Sequence, residues 1–216
     1  MDFIDEYHKL YERARIWEDN SWLGVPCYKW PPDMMVIQEL IFKLKPDYIL
    51  EMGTAKGGSA LFYASICELM GQGRVVTCDI EQRYDEDEIA QYEWSDRIDF
   101  IHGSSTNPLT IEAIKKIVGN KTKKNIVILD SWHSRNHVLQ EMGIYEAFVG
   151  KDYYMIVEDT HAGKPGHPVE WEHEDEGAYA AVEFFLKEND DFEVDWNCER
   201  HLMSFNPKGY LRRVKW

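Results

Sequence analysis

Glu51-Met52-Gly53-Thr54-Ala55-Lys56-Gly57-Gly58-Ser59 lies between a short apolar run, Tyr48-Ile49-Leu50, and a helical stretch from Ala60 to Met70. Glycines after a strand let the backbone turn tightly and come close to a ligand, and the helix that follows offers its N-terminus. The helix closes at Gly71 and Gly73, residues suited to a C-cap. The dinucleotide fingerprint G-x-G-x-x-G is absent. By itself the segment points to a nucleotide-like ligand and goes no further.

Working outward, the same texture repeats. Arg74 to Asp79 predicts a second strand, Arg97 to His102 a third, Asn125 to Leu129 a fourth that ends at Asp130, and Tyr153 to Val157 a fifth that ends at Glu158-Asp159. Helical patterns cover Ile111 to Val118, His137 to Phe148 and Ala178 to Lys187, and Phe192 to Trp196 with His201 to Phe205 predicts a closing hairpin. Toward the N-terminus, Phe3, Ile4, Tyr7, Leu10, Tyr11 and Ala14 recur at helical spacing. From Trp17 to Pro32 the pattern breaks into a loop carrying Trp17, Trp22, Tyr28 and Trp30, which either pins itself to the core or walls a substrate pocket. It leads into a helix with Pro32 and Asp33 near its start and apolar residues from Met34 to Leu44.

Short apolar runs alternating with helices predict an α/β, Rossmann-like fold: a mostly parallel sheet with helices on both faces and an N-terminal helical extension. The expected division is residues 1–46 for the extension and its aromatic loop, and 47–216 for the catalytic domain. Such sheets bind ligands at the carboxyl ends of their strands. Glu51, Asp79, Asp130 and Glu158-Asp159 all stand at predicted strand ends and so are expected to face one crevice.

Composition narrows the class. The chain has 216 residues, 44% of them hydrophobic, enough for one large domain with a sizeable core. No apolar run reaches the roughly 18 residues of a membrane span, and the acidic start lacks the pattern of a signal peptide, so a cytoplasmic protein is expected. A net charge of -15 repels phosphate backbones and argues against nucleic acid as a partner. Cys27, Cys67, Cys78 and Cys198 form no C-x-x-C pair, which argues against a zinc ribbon or a disulfide framework.

The strand ends carry the chemistry. Asp79, at the end of the second strand, can accept both hydroxyls of an adenosine ribose, or cap a helix. Asp130, Glu158 and Asp159 can supply hard oxygen ligands to magnesium, or serve as caps and loop salt bridges. A divalent ion there would lower the pKa of a substrate hydroxyl and orient it. A base within reach is also needed, and histidine titrates near neutrality, at about 6.5. His133 is the candidate; His137, one turn later, reads as structural. The loop from Thr160 to Glu176, with His161, His167, Trp171 and His173, reads as a lid over the substrate rather than a zinc site.

The pattern E-x-G-T-x-x-G-G-S resembles the first motif of class I methyltransferases, and Leu129-Asp130-Ser131-Trp132-His133-Ser134-Arg135 resembles the matching segment of catechol-type O-methyltransferases. In the latter the aspartate binds magnesium and a lysine three residues on is the base; His133 takes that lysine's place. The chain resembles more closely the cephalosporin hydroxylase family, whose members look like metal-binding O-methyltransferases related to rhamnosyl methyltransferases. Gln38-Glu39, Lys45-Pro46-Asp47, Glu51 to Ala60, Gly103-Ser104-Ser105, Leu129-Asp130-Ser131 with His133, and Val157 to Thr160 carry the likeness.

The resemblance implies S-adenosylmethionine held by Glu51, Gly53, Thr54, Gly58, Ser59, Asp79, Ser104, Ser105 and Asp130. It implies magnesium, or another divalent cation, on Asp130, Glu158 and Asp159, with His133 as base. The expected reaction is methyl transfer to a hydroxyl of a small molecule, a sugar or natural product. The oligomeric state is left open, with the aromatic N-terminal segment a surface that could support self-association. Two rivals stand beside this reaction. An iron-dependent hydroxylase would need two histidines and a carboxylate. A non-catalytic protein of the same fold would use the crevice for binding alone.

Overall fold

The computed structural model describes residues 3–119, 123–165 and 176–216. Helix α1 (Phe3–Arg13) leads through a 3-10 turn, Ile16–Asp19, into a two-stranded hairpin, β1 (Ser21–Trp22) and β2 (Val25–Pro26). The sequence reading treats this region as plain loop. The hairpin exists because Leu23 and Gly24 both take positive φ, 53° and 96°, and because Trp22 packs edge-on against Phe62, 4.8 Å between ring centroids.

Helix α2 (Pro31–Leu44) precedes β3 (Tyr48–Met52) and α3 (Gly58–Met70). Then follow β4 (Arg74–Asp79), the short α4 (Glu86–Ile89), β5 (Ile98–His102), α5 (Pro108–Val118), β6 (Asn125–Leu129) and α6 (Arg135–Tyr145). The chain closes with β7 (Tyr154–Val157), α7 (Gly177–Glu188), β8 (Phe192–Val194) and β9 (Tyr210–Arg213). Local chemistry sets the helix starts. Asn107 accepts from the Leu109 N–H with Pro108 at the first helical position, and Ser134 accepts from the His137 N–H.

The seven-stranded sheet has the order β5-β4-β3-β6-β7-β9-β8. Strands β3 to β7 are parallel, while β9 runs antiparallel to β7 and β8. Alternate residues of the strands face opposite layers. Ile49, Val75, Ile126 and Ile156 pack with Val36, Ile37, Ile41, Leu61 and Ala64 of α2 and α3. Leu50, Val76, Val127 and Met155 pack with Ile114, Met142 and Val182 of α5, α6 and α7. Helices therefore cover both faces, as expected.

The closing hairpin differs from expectation. The partner of β8 is Tyr210–Arg213, and residues His201 to Phe205 are not a strand. The backbone there is committed elsewhere. The Phe205 N–H donates to Asp33 (2.9 Å), the Phe205 carbonyl accepts from the His161 N–H (3.0 Å), and the Phe205 ring stacks on Trp30 at 5.5 Å. These bonds take the place of a ladder and draw Phe205 into a third apolar cluster with Tyr11, Trp30 and Met203.

Candidate functional site: the strand-end crevice

Register brings the strand ends level. Met52 pairs with Cys78 and with Leu129, and Leu129 pairs with Val157. The next residues, Gly53, Asp79, Asp130 and Glu158, therefore emerge together at one edge. The Gly53 N–H donates to the Cys78 carbonyl and the Asp130 N–H to the Met52 carbonyl, both at 2.8 Å. Gly53 has φ +111°, and a Cβ on it would stand 2.0 Å from the Asp130 carbonyl oxygen, so only glycine fits where these strands converge.

A cavity of about 330 Å³ opens at this edge, lined among others by Gly53, Ala55, Asp79, Ser104, Ser105 and Asp130. Glu51, Thr54, Gly58 and Ser59 are buried behind the turn and do not reach its wall. Glu51 faces the α2–α3 layer, where its Oε2 accepts from Thr77 Oγ1 at 2.7 Å and Thr77 in turn meets Thr54 Oγ1 at 2.7 Å. Burial pushes the Glu51 carboxyl up to about 7, against the pull of Lys29 and the hydroxyls. Asp79 is already engaged, accepting the Ala55 N–H at 2.9 Å and the Glu81 N–H at 3.1 Å. It thus ties the glycine-rich turn to β4 while its carboxylate lines the cavity.

His137 also lines this cavity. Its Nε2 lies 3.2 Å from Ser105 Oγ and 3.0 Å from Ser131 Oγ, and Ser131 donates to the buried Glu141 at 2.6 Å. His137 thereby ties Ser105 and Ser131 at the cavity wall to Glu141. Glu141 is one helical turn beyond His137, and that i, i+4 spacing was the available signal.

A second cavity, about 230 Å³, shares Ala55 and Asp130 with the first and adds Glu12, Trp17, Tyr28, His133, Asp159, His161 and Phe205. Trp17 and Tyr28 of the aromatic loop line this cavity, while Trp22 and Trp30 pack against the core. Ligating atoms of Asp130, His133 and Asp159 all lie within 4.8 Å of one another. His133 Nε2 is 3.4 Å from Asp159 Oδ2 and 3.8 Å from Asp130 Oδ1. Asp159 holds its place with φ +55° and an N–H bond to Asn206 Oδ1 at 2.9 Å. Glu158 falls outside this cluster.

Glu158 and Asp130 instead share Lys29, which sequence reasoning missed. Lys29 Nζ reaches Asp130 Oδ2 at 2.6 Å and Glu158 Oε1 at 2.9 Å, with the lysine side chain only 4% exposed. Burial opposes the ammonium, but the Asp130 and Glu158 carboxylates outweigh it and hold its pKa well above the ordinary value. Burial likewise pushes both acids upward, with Lys29 opposing. No spacing signal links a loop lysine to acids more than a hundred residues away.

His161, buried beside Asp159, lies 3.3 Å from Glu12 Oε1 through Nε2, and its Nδ1 meets the Phe205 carbonyl at 2.8 Å. Burial opposes its proton, yet Glu12, Asp159 and the carbonyl raise its pKa. His167, Trp171 and His173 of the expected lid lie outside the described residues. Among the described residues, no helix is long and apolar enough to cross a membrane.

The family model described as rhamnosyl O-methyltransferase/CmcI matches residues 14–214. A rhamnosyl O-methyltransferase of Mycobacterium leprae (strain TN) is 34% identical over 212 residues, covering 97% of this chain and 90% of that protein. One from Mycobacterium tuberculosis (strain ATCC 25618 / H37Rv) is also 34% identical, covering 97% of this chain and 84% of its own length. Among solved structures, CmcI with magnesium and SAM superposes with a TM-score of 0.69 at 19% identity, covering 91% of this chain and 77% of that one. A caffeoyl-CoA O-methyltransferase described as such from Staphylococcus aureus gives 0.61 at 17%, covering 90% and 87%. The solved structures show the fold, and the family match together with the mycobacterial relatives shows the lineage: this chain belongs to the rhamnosyl O-methyltransferase/CmcI family.

Proposed function

We propose that this protein moves a methyl group from S-adenosylmethionine to a hydroxyl of a small molecule, with a divalent cation beside the acceptor oxygen. The carrying observation is the pair of cavities that meet at Ala55 and Asp130, one lined by the glycine-rich turn and the other by the Asp130–His133–Asp159 cluster. The first cavity has the size and the convergent polar groups of a cofactor site. The second offers two carboxylates, a donor set that suits a hard cation.

Gly53 and Ala55 would lie against the cofactor, Asp79 would accept its ribose hydroxyls, and Ser104 and Ser105 would close the far side. Glu51, Thr54, Gly58 and Ser59 support this site from beneath by fixing the turn. Asp130 and Asp159 would hold the metal. Asp130 divides its oxygens, Oδ2 toward Lys29 and Oδ1 toward His133. Glu158, the third carboxylate of the expected set, sits on the same lysine and steadies Asp130. When bound, the cofactor supplies an electrophilic methyl group and the cation stabilises the acceptor oxygen as its proton leaves. His133 would take that proton. Holding the oxygen in line with the methyl carbon supplies much of the rate in such a displacement.

The names of the mycobacterial relatives support a glycosyl hydroxyl as acceptor. A homo-oligomer built through the N-terminal segment has support in Phe3, Tyr7 and Leu10, which stand exposed along α1. Calorimetry with S-adenosylmethionine, with and without magnesium, tests the core of the proposal. The wild type is expected to bind cofactor, and Asp130→Ala to lose metal affinity. A wild type that binds no cofactor under either condition would overturn it.

A further inference from the structure

We propose that His8, Glu12 and His161 form a second cation site, suited to a borderline divalent metal such as zinc rather than magnesium, which clasps α1 to the segment leaving β7. Ligating atoms of the three side chains all lie within 4.8 Å of one another. His8 and His161 are buried and Glu12 is half-buried. His8 and Glu12 are four apart on α1, so one helix face presents both.

His161 is arranged as a ligand. Its Nδ1 lies 2.8 Å from the Phe205 carbonyl, which can only accept, so Nδ1 carries the hydrogen of that bond. That leaves Nε2 to face Glu12 Oε1, 3.3 Å away. A backbone carbonyl fixing one ring nitrogen while the other binds metal is the usual outer-shell arrangement of a metal-bound histidine. His8 is oriented as firmly. Its ring stacks on Phe205 at 4.9 Å and 9° and lies 4.8 Å from the His161 ring.

The donor set selects the ion. Two imidazoles and one carboxylate suit borderline ions, zinc and iron(II) alike, whereas magnesium takes oxygen ligands. Glu12 and His161 border the second cavity, so water can complete a four-coordinate shell. The cluster at Asp130 and Asp159 is richer in oxygen and distinct in ligands, and the two sites are expected to sort metals by hardness. The competing account is a plain Glu12–His161 ion pair with His8 as packing. The inference assigns binding and no redox step, and it stands apart from the methyl-transfer proposal.

The test titrates the metal-free protein with zinc chloride, and separately with cobalt(II), in excess magnesium. Expected are zinc uptake at a site that survives Asp130→Ala, a tetrahedral cobalt absorption band, and a thermal midpoint that rises with zinc concentration. His8→Asn and Glu12→Gln, checked for folding by circular dichroism, should each bind zinc at least roughly tenfold more weakly. Wild-type protein with no tetrahedral cobalt band, or zinc affinity unchanged in both variants, overturns the site. The wild-type arm decides the matter even if a variant fails to fold. Loss of cofactor binding in the earlier calorimetry would leave this result untouched.

Discussion

Lys29 Nζ lies 2.6 Å from Asp130 Oδ2, across 101 positions of chain, and touches Glu158 as well. A buried cation between a buried acid, Glu158, and a half-buried one, Asp130, is costly to assemble and costlier to break, because removing one partner strands the others. Lys29→Met should lower the unfolding free energy by roughly 3–5 kcal/mol in metal-free buffer. Lys29→Met combined with Glu158→Gln should recover part of that loss. Urea denaturation of the set measures it, and a double variant less stable than the single one contradicts the charge account.

Gly53→Ala should be far more damaging than Gly24→Ala. Both glycines hold positive φ, but a Cβ at Gly53 meets the Asp130 carbonyl at 2.0 Å, while at Gly24 nothing lies within 4 Å. Gly24→Ala therefore costs backbone strain alone, about 1–2 kcal/mol. Gly53→Ala adds a clash at the meeting of β3 and β6 and should weaken cofactor binding by more than about tenfold, or about 1.4 kcal/mol. Thermal melts and calorimetry on the two variants separate strain from clash.

Asp79→Asn should weaken cofactor binding by about tenfold, the scale of one hydrogen bond to a charged group. Magnesium affinity should stay as it is, because Asp79 lies outside the Asp130–His133–Asp159 cluster. Parallel titrations with each ligand check both halves. Equal loss of both ligands would mean that the turn itself had collapsed.

Asp33 gives a pH signature. It is buried at the start of α2, where it accepts from Ser204 Oγ at 2.7 Å, Phe205 N–H at 2.9 Å and Tyr210 OH at 3.0 Å. Burial outweighs these donors and pushes its carboxyl from the ordinary 3.8 up to about 6. Between those values the folded protein binds a proton that the unfolded chain releases, so the Asp33 contribution falls as pH rises through the window. The gap corresponds to about 3 kcal/mol. The stability advantage of wild type over Asp33→Asn should therefore shrink by up to that amount from pH 4 to pH 7. An advantage that grows with pH would show that the three donors win.

Much of the fold was legible because it rests on local signals. Apolar runs of strand length, glycines after β3 and acids after β4, β6 and β7 recur with the period of a β/α unit, and the parallel register then brings them level. Where backbone bonds are set by distant side chains, the signal disappears. Phe205 reads as strand, yet Asp33 and His161 hold its backbone in a turn. At the site, Asp79, Asp130 and Asp159 are visible because they end strands. Glu51 looks equivalent but falls two residues short of the turn's apex at Gly53, and the pleat sends it into the core. Lys29, Glu12 and His8 were invisible for a different reason. They come from elements folded over the crevice from the N-terminal side, and no periodicity records that closure.

Lys29 also constrains how this protein can be recombined with its relatives. A chimera joined just before β3 would keep every strand of the large sheet and exchange only the segment ahead of it. That exchange would transplant the counter-charge for two acids that stay behind. It would also replace the Pro26 carbonyl, against which a Cβ on Gly58 would sit at 2.3 Å. A donor segment with an apolar residue at the position of Lys29 should yield a chain that builds its sheet and fails at its active edge. Compatibility between halves thus requires that ammonium group in addition to the packing of α2 on the sheet.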